Sequence, residues 1–201
     1  MNEINKLDGR VADTAEMPVP PYVCVRAHAC ALTGKPAVSA TQSVDATAPM
    51  LLALDLGTTL GWAVRLSGQA MSGTERFKVG RFEGGGMRYL RFVRWLDDLC
   101  RFAGLPSTVY FEEVRRHKGV DAAHVYGGFL AQLTAWCERH AVPYQGVPVG
   151  TIKKFATGKG NANKAAMIEA AKRWGHEPAD DNEADALALL HWAAAQEQAH
   201  V

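Results

Sequence analysis

The chain has 201 residues, of which 48% are hydrophobic and 21% charged, so it can bury one substantial core and has the composition of an ordinary globular protein. A formal net charge of +1 neither indicates nor excludes nucleic acid as a partner, because only a local basic patch could decide that. The four cysteines lack the paired spacing of a zinc site and are too sparse for a disulfide scaffold. The N-terminus has no apolar segment typical of a secretory signal, and no apolar run is long enough to span a membrane. We therefore expect a cytoplasmic protein with reduced thiols and no membrane contact.

Residues 1–48 differ from the rest of the chain because they are small and polar, with little hydrophobic periodicity. Pro18, Pro20 and Pro21 interrupt any helix in this region. We expect a flexible, disordered leader at 1–48, followed by one folded domain at 49–201.

Residues 51–64 are the stretch around which the domain is organised. A continuous apolar run ends in Asp55, and a Gly-Thr-Thr turn leads into a second apolar strand. Such a run is typical of a buried central strand. An ionised carboxylate at its end is costly unless a cation lies beside it. Because Asp near Gly also commonly caps its own turn, this stretch alone leaves the role of Asp55 open.

Residues 75–82 alternate between polar and apolar, which predicts a third, half-exposed strand. Three glycines follow, and residues 87–104 have apolar side chains at helical spacing. Several arginines on this predicted helix are best explained as a solvated face. Pro106 ends the element.

An apolar strand at residues 108–114 carries two carboxylates, Glu112 and Glu113. Adjacent strand residues point to opposite faces, so only one of the two can share a site with Asp55. A basic run follows, which is either a solvated loop or, beside an acidic cleft, a clamp for phosphates. The run contains Arg115, Arg116 and Lys118.

Residues 121–174 predict three helices and one strand. They are an amphipathic helix at 121–140, an edge-like strand at 143–149, a short helix at 151–156 and a helix at 164–174 that Asn163 caps. The loop between the last two helices is flexible and basic, and it includes Lys159.

The last predicted helix begins in an acidic segment at residues 180–185. Acidic residues in a first helical turn interact favourably with the helix dipole, which accounts for Asp180, Asp181 and Glu183. It does not account for Asp185, which lies inside an Ala/Leu stripe that should face the core. Residues four apart share one helix face, so Asp181 and Asp185 can point together at the sheet.

Asp55, one of the two glutamates, and Asp185 thus lack a simple structural explanation, and Asp181 lies within reach of them. Acids gathered in one cleft repel one another unless a divalent cation neutralises them. Oxygen ligands without nearby His or Cys pairs favour Mg²⁺ or Mn²⁺ over zinc. Two such ions about 3.5–4 Å apart suit in-line hydrolysis of a phosphodiester. The sequence therefore predicts metal-dependent phosphodiester chemistry.

The whole pattern resembles the RuvC-type Holliday-junction resolvases of the RNase H-like superfamily. In this chain the pattern runs from about residue 50 to 195. It begins with a strand that ends in Asp and a hairpin, continues with a strand that ends in Glu, and closes with a Lys-bearing helix and an Asp-x-x-x-Asp-Ala-Leu-Ala helix. The resemblance implies an α/β RNase H-like fold, in which helices flank a five-stranded mixed sheet. It also implies an endonuclease that binds branched DNA such as a four-way junction, acts as a homodimer and uses Mg²⁺ or Mn²⁺, two ions per site.

Carried over by position, Asp55 resembles the first-strand acid of the family, Glu112 the fourth-strand acid and Asp185 the acid of the last helix. The remaining family ligand lies three residues before the last acid, where this chain has Asn182. We expect Asp181 to be the fourth ligand because of its charge, and Asn182 is a neutral alternative.

Lys164 resembles the family's lysine near the scissile phosphate. The resemblance thus implies a catalytic set composed of Asp55, Glu112, Asp181, Asp185 and Lys164, of which the four acids are the metal ligands. The expected DNA-binding residues are Arg115, Arg116, Lys118, Lys159 and Lys164.

Three other interpretations start from the same residues. Asp-Leu-Gly-Thr-Thr before a strand is also the phosphate-loop signature of actin-like ATPases and sugar kinases. Those proteins bind ATP between two lobes that each carry such a loop, and this sequence has no second loop of that type. A YqgF-like nuclease acting on RNA has a similar opening but is generally shorter, and the basic loop here fits DNA better. A binding protein without catalysis is disfavoured because the acids are retained.

Overall fold

The structure is a computed structural model that describes residues 50–115 and 119–199. Within these ranges the chain forms five strands and five helices. In chain order they are β1 (Leu51–Asp55), β2 (Thr59–Leu66), β3 (Gln69–Arg76), α1 (Met87–Ala103), β4 (Thr108–Glu113), α2 (Val120–Arg139), β5 (Tyr144–Pro148), α3 (Val149–Thr157), α4 (Lys164–Arg173) and α5 (Asp181–Ala199).

The strands form one mixed sheet in the order β3-β2-β1-β4-β5. Strands β1, β2 and β3 pair antiparallel, whereas β4 lies parallel to β1 and β5 lies parallel to β4. This arrangement confirms the predicted five-stranded mixed sheet, with the edge-like strand β5 at an edge and β1 beside β4 at the centre.

Both faces of the sheet are covered, and β1 contributes alternate side chains to each. Leu52 and Leu54 pack with α1 and α2, whereas Leu51 and Ala53 pack with α3, α4 and α5. All four side chains are fully buried. Burial on both faces is the physical reason why β1 is continuously apolar instead of alternating.

The predicted position of the third strand was wrong. Strand β3 ends at Arg76, and residues 77–86 form no strand. Ser67 and Gly68 have positive φ angles of 50° and 79° and form a two-residue turn, so β3 begins immediately after β2 and reaches its end opposite Thr59. The alternation farther along does not mark a strand face, because Phe77 is buried in the core whereas Phe82 is 95% exposed.

Several predictions fall on residues outside the described ranges. These are the leader at 1–48, together with Arg116 and Lys118 of the basic run. The described cysteines, Cys100 and Cys137, are free thiols. No helix within the described residues has both the length and the hydropathy of a membrane span.

Candidate active site

Two carboxylates lie at the edge where β1 and β4 end. Since these strands are parallel neighbours, with Leu54 opposite Phe111, their carboxyl ends meet at the same edge of the sheet. Asp55 continues the side of β1 that faces α5, and Glu112 lies on the same side of β4 as Tyr110, which packs on that face.

Glu113 points to the other side of the sheet. Its Oε2 lies 3.1 Å from a guanidinium nitrogen of Arg115, whose side chain is exposed, whereas that of Glu113 is partly buried. The strand register therefore brings Glu112, and not Glu113, to Asp55.

Helix α5 adds the third carboxylate because it packs directly on the sheet. Gly61 of β2 is the partner of Asp55 in the antiparallel pair. A Cβ at Gly61 would lie 1.9 Å from the carbonyl oxygen of Asn182, so only glycine allows the first turn of α5 to approach this closely. Asp185 lies one helical turn after Asp181 and faces the strand ends.

The carboxylates of Asp55, Glu112 and Asp185 each offer an oxygen atom, and these three oxygens lie within 4.8 Å of one another. The predicted convergence of the three side chains is therefore confirmed. Among the described residues, no donor forms a hydrogen bond with Oδ1 of Asp185, although this atom is buried.

Burial and mutual repulsion disfavour three anions at this point. Burial raises the pKa of Asp55 well above its ordinary value, and Glu112, Asp185 and Asp181 raise it further. Burial and then Glu112 raise the pKa of Asp185 to about 7, while Lys153 and Lys164 act in the opposite direction. A bound cation would relieve this repulsion and satisfy Oδ1 of Asp185. The all-oxygen donor set fits a hard divalent ion such as Mg²⁺ or Mn²⁺.

Asp181 lies at the rim of this cluster and forms an ion pair with Lys164. It is not one of the three converging carboxylates, but its charge still raises the pKa values of Asp55 and Asp185. Asn182 contacts Gly61 through its backbone. The choice of Asp181 as the fourth ligand stays a prediction.

Lys153 is a second cation near the site, and the sequence analysis missed it. It lies in α3, is half-buried, and its charge lowers the pKa of Asp185 against the raising effects of burial and Glu112. The available signal was the pair Lys153–Lys154. The pattern alone does not say which lysine faces the acids, and the neighbouring Lys154 is exposed.

Within the described ranges, the predicted DNA-binding residues Arg115, Lys159 and Lys164 are exposed. Lys159 lines an open cavity of about 500 Å³ together with Asn161 and Arg173. Arg115 is exposed and paired with Glu113. A contact of these residues with DNA stays a prediction.

Comparison with solved structures identifies two similar chains from Thermus thermophilus. RuvC in complex with a Holliday junction substrate has 25% sequence identity and a TM-score of 0.59, covering 71% of this chain and 90% of that one. A second RuvC structure has 24% identity and a TM-score of 0.54, covering 70% of this chain and 90% of that one. The chain has the RuvC-type resolvase fold.

The RuvC-type fold is an RNase H-like fold, which confirms the predicted fold class. The similarity to RuvC supports an endonuclease. The yeast mitochondrial Holliday junction resolvase Ydc2 also matches, with 11% identity and a TM-score of 0.48 over 69% of this chain and 75% of that one. No protein-family model and no curated protein matches the sequence.

Proposed function

We propose that this chain is a metal-dependent endonuclease that hydrolyses phosphodiesters of branched DNA, with the Holliday junction as the leading substrate. The observation that carries the proposal is the convergence of Asp55, Glu112 and Asp185 at the strand ends of a RuvC-type fold. The junction bound by the similar T. thermophilus protein supports branched DNA as the substrate class.

Asp55, Glu112, Asp185 and Asp181 would hold Mg²⁺ or Mn²⁺ in this proposal. Two bound ions would activate the attacking water and stabilise the leaving oxygen. Lys153 and Lys164 lie beside the acids and would stabilise the negative charge that develops on the phosphate. The protein would act in the cytoplasm.

The loop at residues 77–86, which starts close to Asp55 in the fold, would offer further DNA contacts. It begins where the backbone N–H of Phe77 donates to the carbonyl of Thr58, three residues after Asp55. Phe82 projects into solvent, and the guanidinium of Arg81 lies 5.6 Å from its ring centroid. An exposed aromatic ring beside a cation suits stacking on an unpaired base of a branch point.

A homodimer suits this substrate, because a four-way junction has two symmetric cleavage positions. The outer face of α2 is a candidate interface, since Val120, Gly127 and Ala131 are exposed there. Sedimentation at working concentration should give a dimer, with or without a junction. A strict monomer under both conditions would contradict the dimer and leave the nuclease proposal intact.

The test of the function is cleavage of labelled four-way junctions, forked DNA, linear duplexes, RNA and RNA–DNA hybrids in Mg²⁺ and in Mn²⁺. We expect cleavage of branched DNA and none in EDTA. Cleavage of RNA but of none of the DNA substrates would contradict the proposal and favour a YqgF-like activity. ATP binding without nuclease activity would favour the actin-like alternative.

Replacing Lys153 or Lys164 by Ala should slow cleavage by roughly 10²-fold with little loss of junction affinity, as expected for groups that stabilise transition-state charge. Single-turnover rates and filter binding would separate the two effects. Lys154→Ala is the matched control, because Lys154 is the exposed neighbour of Lys153 on the same helix. Equal losses of rate and of affinity in the two variants would show that these lysines only bind DNA.

Neutralising Arg115, Arg116 and Lys118 together should weaken binding to all branched DNAs. It should also reduce the salt dependence, by up to roughly one unit of log–log slope per lost phosphate contact. A control with equal charge change combines substitutions of Arg94, Arg101 and Arg139, which are exposed residues of α1 and α2. Equal effects of the two triple variants would show that the basic run acts only through the net charge of the protein and does not contact the DNA specifically.

A further inference from the structure

Strand β3 holds the start of α5 through two pairs of side chains. Oδ1 of Asp180 accepts hydrogen bonds from the hydroxyl of Thr74 at 2.8 Å and from the backbone N–H of Glu183 at 3.0 Å. The carboxylate of Glu183 accepts from the hydroxyl of Ser72 at 2.7 Å and from the backbone N–H of Ala179 at 2.8 Å. Asp180 and Glu183 are therefore engaged by β3 and by the helix cap.

This engagement divides the acids of the segment into two sets. Asp180 immediately precedes α5, Glu183 lies in its first turn, and both side chains face β3. Asp181 and Asp185 are four apart within the helix and share a different face. Holding the first pair against β3 therefore turns the second pair towards Asp55.

The sheet restricts how far the pair Asp181 and Asp185 can move relative to the pair Asp180 and Glu183. Asp55, Gly61 and Thr74 are neighbours across β1, β2 and β3. The backbone of α5 rests on Gly61, so a shift of the first turn is passed directly to Asp181 and Asp185. Errors of about 1 Å in such groups are enough to lower activity strongly.

We propose that Ser72 and Thr74 are positioning residues that fix the metal-ligating face of α5, an inference that rests on the proposed function. Neither hydroxyl is a metal ligand in this proposal, because Ser72 donates to Glu183 and Thr74 donates to Asp180. Without these donors, the half-buried carboxylate of Asp180 and the buried carboxylate of Glu183 would each keep only a backbone donor. The first turn of α5 would then lose the side-chain hydrogen bonds that tie it to β3. The expected deficit is in metal affinity and not in DNA affinity.

The test compares the full-length Ser72→Ala/Thr74→Val double variant with the wild type. Mn²⁺ binding is measured by calorimetry or by electron paramagnetic resonance, junction binding in EDTA, and cleavage as a function of Mn²⁺ concentration. We expect Mn²⁺ affinity to fall by roughly 10–100-fold, the range found when partners that orient metal ligands are removed. Junction binding in EDTA should stay unchanged, and saturating Mn²⁺ should restore most of the cleavage rate. Thr74→Ser keeps the hydroxyl and should bind Mn²⁺ like the wild type.

Ser107→Ala is the matched control, since this hydroxyl also donates a long-range hydrogen bond, to the carbonyl of Met50, away from α5. If the double variant does not fold, Thr74→Val alone gives the same comparison. A folded variant with wild-type Mn²⁺ affinity overturns the proposal, as does a Ser107→Ala variant with an equal loss. If the wild type binds Mn²⁺ but cleaves no nucleic acid, the proposed function fails, and the positioning inference is still decided by the Mn²⁺ affinities.

Discussion

Replacing Asp55 by Asn should abolish cleavage of branched DNA. The rate should fall by about 10³-fold or more, where 10³-fold is the upper end of the effect of removing one preorganised electrostatic contact. The substitution preserves the size and shape of the side chain but removes the anion at the centre of the three-carboxylate cluster. Junction binding in EDTA should persist or become tighter, because less negative charge then faces the phosphates. Cleavage of a labelled junction in Mn²⁺, paired with binding in EDTA, measures both effects.

Asp185→Asn should lose cleavage in the same way, because Asp185 belongs to the same cluster. Glu113→Gln is the control, since this side chain points away from Asp55 and pairs with Arg115. It should cut at nearly the wild-type rate. An Asp55→Asn protein that cleaves at the wild-type rate would contradict the metal mechanism.

The sequence was sufficient for most of the fold because its signals were local. The continuous apolar run of β1, the cap that Asn163 provides for α4 and the prolines around β5 each predict an element from physical chemistry alone, and the structure contains all three. The position of β3 was not predictable in this way. It depends on a two-residue turn at Ser67–Gly68, and the alternation farther along gave a stronger but misleading signal.

The site shows the same limit. Helical spacing alone predicted that Asp181 and Asp185 share a face, but strand alternation could not choose between Glu112 and Glu113 without the register between β1 and β4. The roles of Asp180 and Glu183 were assigned to the helix dipole. Their hydrogen bonds to β3 are contacts between residues more than 100 positions apart, for which a single sequence carries no signal.

The acid cluster should also make the metal-free protein less stable as pH rises. The ordinary pKa of an Asp is 3.8, whereas that of Asp185 is raised to about 7 by burial and by Glu112. Between these pH values the folded state binds more protons than the unfolded state, so stability falls as pH rises and then levels above pH 7. Since each pKa unit corresponds to about 1.4 kcal/mol, this group costs at most about 4 kcal/mol at pH 8.

His191 acts in the opposite direction. Burial and the neighbouring His176 lower its pKa to about 4, so its contribution to stability rises between that pH and the ordinary value of 6.5. The informative quantity is therefore the difference between the wild type and Asp185→Asn, in which the contribution of His191 cancels.

In EDTA, the melting temperature of the wild type should fall relative to that of Asp185→Asn by roughly 5–10 °C between pH 5 and pH 8, given about 2–4 °C per kcal/mol for a domain of this size. Mn²⁺ should raise the wild-type melting temperature at pH 8 and have little effect at pH 5, because protons and the cation compete for the same carboxylates. Asp185→Asn should respond weakly to Mn²⁺ at both pH values. Differential scanning calorimetry at fixed ionic strength measures all four conditions. Parallel pH profiles of the two proteins in EDTA would mean that Asp185 is ionised without cost, and the repulsion that argues for a bound cation would be absent.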